Sequence, residues 1–154
     1  MDRFKGGCLC GAVRFEATGR PFRAGLCHCF DCRKHSGSLF QPTAIFPEAA
    51  VVVRGETRDW AGRHFCPRCG SSVFACTGDE IEISLGALDA PDQLTPTYEN
   101  WMVRREAWLP AFPLAHHYAR DREGDGRSED QAAATPASFP PQGAGEEATG
   151  PFRP

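Results

Sequence analysis

Residues 27 to 37 read CHCFDCRKHSG, three cysteines and two histidines beside two basic residues in eleven positions. Thiols at this spacing are metal ligands. Three thiolates around a zinc ion leave one tetrahedral position for a fourth protein ligand, or for water and substrate. Cys8 and Cys10 stand in GGCLCGAV, Cys66 and Cys69 in FCPRCGSS, and Cys76 is alone. The CPRCG turn is a zinc knuckle: Pro67 stiffens it, and Gly70 can take the positive φ that lets backbone N–H groups point at the thiolates. The CxC doublet, flanked by Gly6, Gly7 and Gly11, can curl round the same ion. Two doublets make one four-cysteine site, so Cys8, Cys10, Cys66 and Cys69 are expected to clamp the N-terminal segment to the middle of the chain. A structural zinc contributes about 10–16 kcal/mol to folding, and the fold is expected to depend on it.

Cys27, Cys29 and Cys32 leave two readings open. Cys76, or one of His28, His35 and His64, closes the fourth position and the site is structural; or the position stays open and the site is catalytic. Cys76 follows Phe74 at strand spacing, as a small buried thiol in a core does. His28, between two ligands, would be turned away from the metal by an extended backbone. Arg33, Lys34 and Arg68 are the cations expected to offset the negative charge of a three-thiolate zinc site or to receive an anionic substrate, with Arg63 a further candidate. Asp31, His35 and His64 are candidate proton carriers.

The elements that must position these residues are short and mostly β. AVRFEAT (12 to 18) and EIEISLG (80 to 86) alternate apolar and polar residues, and LFQPTAIF, AVVVR and SVFACT are further strands, with Pro42 at an edge or bulge. One short helix is expected near residues 30 to 36. WMVRREAWLPAFP (101 to 113) supplies Trp101, Trp108 and Phe112, expected as aromatic cover for a small core rather than as a substrate groove.

At 154 residues the chain fits one domain with a modest core. The stretch from residue 119 is rich in Gly, Pro, Ala and charge, with Phe139 and Phe152 its only large apolar residues, and is expected to be a disordered acidic tail behind a domain of residues 1 to 118. From residue 120 on there are four basic and seven acidic residues, which leaves thirteen of each in the first 119. That balance offers no electrostatic footprint for nucleic acid. No apolar run is long enough to span a bilayer, and the opening MDRFKGGC lacks a signal-peptide core. A cytoplasmic location follows as the expectation, and a reducing compartment favours metal over disulfides for the eight cysteines.

In this order, GGCLCGAVRF, CHCFDCRKHSG and FCPRCGSSVF resemble the glutathione-dependent formaldehyde-activating enzyme family, which includes centromere protein V, over about residues 5 to 115. The resemblance implies a β-tent fold of small antiparallel sheets. It also implies two zinc ions, a structural one on Cys8, Cys10, Cys66 and Cys69 and a catalytic one on Cys27, Cys29 and Cys32. The implied activity is of carbon–sulfur lyase type, condensing glutathione or a similar thiol with formaldehyde or another small aldehyde; the alternative is a catalytically silent zinc-stapled binding module. A B-type methionine sulfoxide reductase, similar in its zinc-bearing β fold, would need paired CxxC knuckles and a separate redox cysteine, for which only Cys76 is available. Cys76 and the acidic tail lie outside the family motifs. Oligomeric state is not legible.

Overall fold

The structure, a computed structural model, describes residues 1–123. Two sheets enclose one core. The smaller is antiparallel, in the order β1 (Arg3–Gly7), β2 (Arg14–Thr18), β5 (Val51–Arg54). Its alternation is clean: Phe4, Phe15 and Ala17 face inward, while Arg3 and Lys5 stand outward against Glu16.

The larger sheet has eight strands. In chain order they are β3 (Arg23–Cys27), β4 (Gln41–Pro47), β6 (Arg58–Trp60), β7 (Arg63–Phe65), β8 (Ser72–Thr77), β9 (Glu80–Ser84), β10 (Tyr98–Asn100) and β11 (His116–His117). Across the sheet they run β11-β10-β3-β4-β9-β8-β7-β6. The helix α1 (Phe30–Ser36) joins β3 to β4. One-turn 3-10 helices occupy Glu48–Ala50, Leu85–Ala87 and Met102–Arg104.

The expected strands and the helix are all present, and the protein is mainly β. The antiparallel pattern breaks at one edge, where β10 runs parallel to both β3 and β11. Long irregular connections precede both β10 and β11, and only such connections allow parallel neighbours. Pro42 lies inside the sheet, paired with Leu26 of β3, but the ladder from β4 to β9 begins at Thr43. At Pro42 the strand has a partner on one side only, which is what a residue without an N–H requires.

Phe4, Val13, Phe15, Phe46, Val73, Phe74, Ile81 and Ile83 form the core between the sheets, with the Phe4 and Phe46 rings 5.7 Å apart. Cys8 and Cys66 are buried within this cluster, and Cys76 packs against it half-buried. The domain does not end at Tyr118. Trp101 N–H donates to the Arg120 carbonyl at 2.9 Å, Asn100 Nδ2 donates to Asp121, and Arg122 lies over the Tyr98 ring. These contacts fix residues 119 to 122 to the sheet, and the remainder of the expected tail, 124 to 154, lies outside the described residues. Among the described residues no helix is long and apolar enough to cross a membrane.

Candidate metal and substrate site

The quartet is built by two turns meeting at the edge of the core. After β1 the chain turns back through Cys8, whose N–H donates to the Val13 carbonyl at 3.0 Å. Between β7 and β8 the knuckle closes with Cys66 N–H on the Ser71 carbonyl (3.0 Å) and Gly70 N–H on the Cys66 carbonyl (2.8 Å). Gly70 has φ 76°, the left-handed backbone expected of it. The Sγ atoms of Cys8 and Cys10 are 3.6 Å apart, and those of Cys10 and Cys66 3.7 Å. Four sulfurs at about 2.3 Å from a tetrahedral zinc would be about 3.8 Å apart. The donor set, soft thiolates only, also suits zinc.

The surroundings favour thiolate at Cys8 and Cys69 and oppose it at Cys10. Burial opposes charge on Cys8, yet the Val13 N–H, 3.2 Å from its sulfur, and the Cys10 and Cys66 thiols lower its pKa. The Ser71 hydroxyl and N–H bring Cys69 down to about 5. At Cys10 the Ala12 N–H favours the anion, but desolvation and three neighbouring thiols outweigh it and push it up to about 11.

The triplet is local. Cys27 ends β3, Cys29 caps α1 by accepting from the Cys32 N–H at 3.4 Å, and Cys32 lies in the first helical turn. Their sulfurs lie within 4.8 Å of one another, so this cluster too can hold a metal ion. All three cysteines are half-buried. Here the environment resists ionisation: desolvation raises Cys29, and hydrogen bonding with Cys27 followed by burial pushes Cys32 far up. A bound cation would reverse that balance.

Cys76 stands outside both clusters. No histidine joins the triplet. His28, 0% exposed, turns its Nε2 to Glu99 Oε2 at 2.8 Å. His64 stacks on Phe74 at 4.5 Å with Nδ1 3.0 Å from Thr57 Oγ1. His35 faces a small cavity of about 70 Å³ beside Cys32 and Cys76, its Nε2 buried without a hydrogen bond.

Glu99, 1% exposed, was not singled out by the sequence. Besides His28 it receives His117 Nδ1 at 2.6 Å and Arg105 Nε at 3.3 Å. The His28 N–H donates to the Asn100 carbonyl at 3.1 Å. The peptide between Cys27 and Cys29 is thus held at both its backbone and its ring.

The triplet opens on a cavity of about 570 Å³ whose floor is one face of the larger sheet. Cross-strand register sets two rows of that floor: Tyr98, Gly25 and Thr43, then Arg23, Ile45, Glu82 and, beyond Ala75, Arg63. Gly25 is required there, since a Cβ would fall 2.3 Å from the Tyr98 ring. Trp101, held at φ 57°, and Arg104 and Arg122 complete the wall. Trp101 therefore faces the cavity instead of covering the core. Phe112 packs edge-on to Phe40 at 5.3 Å, outside the core cluster, and Trp108 is 70% exposed.

Of the cations expected from sequence, Arg63 lines this space and Arg33, Lys34 and Arg68 do not. Arg33 is committed to Glu106 and to the Arg104 carbonyl. Lys34 stands on the exposed side of α1, and Arg68 lies exposed in the knuckle of the other cluster. The cavity's cations are Arg23, Arg63, Arg104 and Arg122. Sequence proximity to the cysteines was a poor guide, because the sheet brings its cations from four distant segments. Asp31 is at the rim, 78% exposed and 3.7 Å from Arg63.

A mainly β domain with one cysteine cluster in its core and a second at the mouth of a cationic cavity defines a class of metal-binding proteins. The chain belongs to the glutathione-dependent formaldehyde-activating enzyme family, whose sequence profile matches residues 3–104. It is 28% identical over 79 residues to an uncharacterized lyase of Schizosaccharomyces pombe, covering 48% of this chain and 58% of that one. A Halomonas elongata protein named as a glutathione-dependent formaldehyde-activating enzyme is 31% identical over 84 residues, 46% of this chain and 54% of its own. The chain thus spans little more than half the length of the curated relatives it matches. A crystal structure of a Rhodobacter sphaeroides protein aligns with 58% of this chain and 91% of its own at 23% identity and a TM-score of 0.47.

Proposed function

We propose that the protein is a zinc-dependent enzyme of carbon–sulfur lyase type that joins glutathione, or a similar anionic thiol, to formaldehyde or another small aldehyde. The observation that carries this reading is the placement of Cys27, Cys29 and Cys32 at the mouth of the large cavity, away from the core quartet. Cys8, Cys10, Cys66 and Cys69 would hold a structural zinc and the triplet a working one. A zinc ion there supplies Lewis acidity and favours the thiolate form of a bound thiol.

A free thiol with pKa near 8.5 is only a few per cent ionised at neutral pH, and complete ionisation is worth about 2 kcal/mol. The larger contribution comes from holding thiol and aldehyde together, where orientation supplies several kcal/mol. Arg104, Arg122 and Arg63 are suited to take the carboxylates of such a thiol, a role expected from the sequence for Arg63 but also for Arg33, Lys34 and Arg68, which lie elsewhere. Trp101 and Phe30 add aromatic surface to the wall above the sheet. Family membership and the names of the two relatives support the same chemistry.

The test combines metal counting with adduct formation, followed by mass spectrometry of glutathione and formaldehyde mixtures. Two zinc ions per chain are expected for the native protein, with one zinc, a preserved fold and no catalysed adduct formation for Cys29→Ser. A Cys29→Ser protein as active as the native one, or a native protein no faster than the uncatalysed reaction, overturns the reading.

A further inference from the structure

Three carboxylates line the large cavity, and two are occupied or remote. Asp121 Oδ1 accepts from Asn100 Nδ2 and from the Arg122 N–H, and Asp31 stands in solvent at the rim. Glu82 differs. It rises from the middle of the floor, its side chain forms no hydrogen bond and no close ion pair among the described residues, and it borders both the large cavity and the small one that His35 faces. Cys32, Thr43 and Arg63 lie on the wall the two cavities share. The nearest cations are otherwise engaged: Arg23 grips Glu80 through both nitrogens, at 3.2 and 2.7 Å, and Arg63 faces Asp31.

A carboxylate left without a partner beside a thiol-binding site costs stability unless it serves the ligand. We infer that Glu82 is the catalytic base of the reaction proposed above, taking the proton of the incoming thiol and returning it to the aldehyde oxygen. The inference rests on that reading of the cavity. The S–H proton passes to a Glu82 carboxylate oxygen. The sulfur electron pair forms the carbon–sulfur bond as the C=O π pair moves to oxygen, and that oxygen takes the proton back from the Glu82 carboxyl. Thiol plus aldehyde gives the hydroxymethyl thioether with no oxidant or reductant. The lyase direction runs the same proton backwards.

The surroundings suit the role. Burial lifts the Glu82 carboxyl above the ordinary carboxylate range, with Arg23 of β3 and Arg63 of β7 pulling it down less strongly and Glu80 and Asp121 adding to the rise. Tyr98 of β10, itself pushed up to about 12 chiefly by burial, stays a neutral donor, and Cys32 of α1 is the nearby thiol. A base closer to neutral than a free carboxylate transfers protons more effectively in both directions.

The deciding measurement is calorimetric titration of the zinc-loaded protein with glutathione in buffers of differing ionisation enthalpy, which counts protons released at neutral pH. The native protein is expected to release close to none and Glu82→Gln close to one per thiol bound. Turnover in Glu82→Gln should fall about 10²- to 10⁴-fold with KM nearly unchanged, and Glu82→Asp should recover part of it. Metal content and thermal midpoint, measured on each variant, separate this from a folding defect. A full proton released by the native protein overturns the assignment by itself. Equal proton counts and rates in native and Glu82→Gln proteins overturn it while leaving the function standing; absence of glutathione binding to the native protein overturns both.

Discussion

The two cysteine clusters use the same ligand and nearly the same spacing, yet they do opposite things to the chain. The quartet joins residues from two segments, Cys10 and Cys66 being 56 positions apart, and sits against the core. The triplet draws its ligands from six consecutive positions at a strand end and one helical turn. Closing a long loop constrains the unfolded chain far more than closing a short one. An ion in the quartet would therefore tie the halves of the domain together, whereas an ion in the triplet would restrain little that β3 and α1 do not already fix. The electrostatics follow the same division. Backbone and hydroxyl donors stabilise the charge on Cys8 and Cys69, whereas burial and mutual contact oppose it on Cys29 and Cys32.

The contrast breaks most visibly in stability. Cys66→Ser should abolish the cooperative thermal transition and far-ultraviolet signal of the folded sheet, because about 10–16 kcal/mol is at stake. Cys29→Ser should move the midpoint by only a few degrees in the same experiment. Equal collapse of both would erase the distinction.

Glu99→Gln comes next. It leaves buried His28 and Arg105 without their carboxylate, and losing one member of a buried charged network costs about 3–5 kcal/mol. Denaturant unfolding should report that loss, and a metal-chelator competition should show weaker binding at the triplet with the quartet unchanged. In the folded protein burial pushes the Glu99 pKa up, but His28, His117 and Arg105 outweigh it and the net shift is downward. Its contribution is thus present above the ordinary carboxylate pKa and disappears as pH falls through the folded value. The variant should unfold less steeply in acid than the native protein.

Acidification also sharpens the comparison at the metals. Thiols whose pKa values are raised compete for protons more strongly. Cys29 and Cys32 are raised in the triplet, whereas in the quartet the rise at Cys10 is set against lowered Cys8 and Cys69, so the triplet should surrender its ion first as pH is lowered. Cys69, held at about 5, helps the quartet to keep its own. A chromophoric chelator should record two separate releases, and a single merged step would contradict the assignment. The smallest effect is expected at the cavity wall. Arg104→Ala removes a half-solvated cation, worth up to about 1 kcal/mol, and should raise KM for glutathione about fivefold without changing kcat.

Much of this was legible. Both cysteine clusters, α1 and the strands with strong alternation could be read because each depends on local spacing. What escaped was tertiary. The strand RAGLC shows no period, and its Gly25 makes sense only against the Tyr98 ring that crosses it. YEN is too short and polar to read as a strand, since Glu99 is buried only because His28, Arg105 and His117 arrive from elsewhere. In EIEIS the alternation was clear, but it assigns Glu82 to a solvent face, whereas that face is the floor of a cavity. Sequence distinguishes apolar from polar sides of a strand, and not open water from an enclosed space above the polar side. The cations show the same limit, since those adjacent to the cysteines in sequence are occupied elsewhere or face outward.

The parallel edge formed by β10 and β11 has a consequence for how the molecule is made. A ribosome delivers the chain from one end, and every cysteine of both clusters has emerged by Cys69. The wall that bounds the cavity beside the triplet comes from Tyr98, Trp101, Arg104 and Arg122, all of which appear later in the chain than Cys69. The nascent protein thus acquires both cysteine clusters well before the cavity wall beside the triplet is in place.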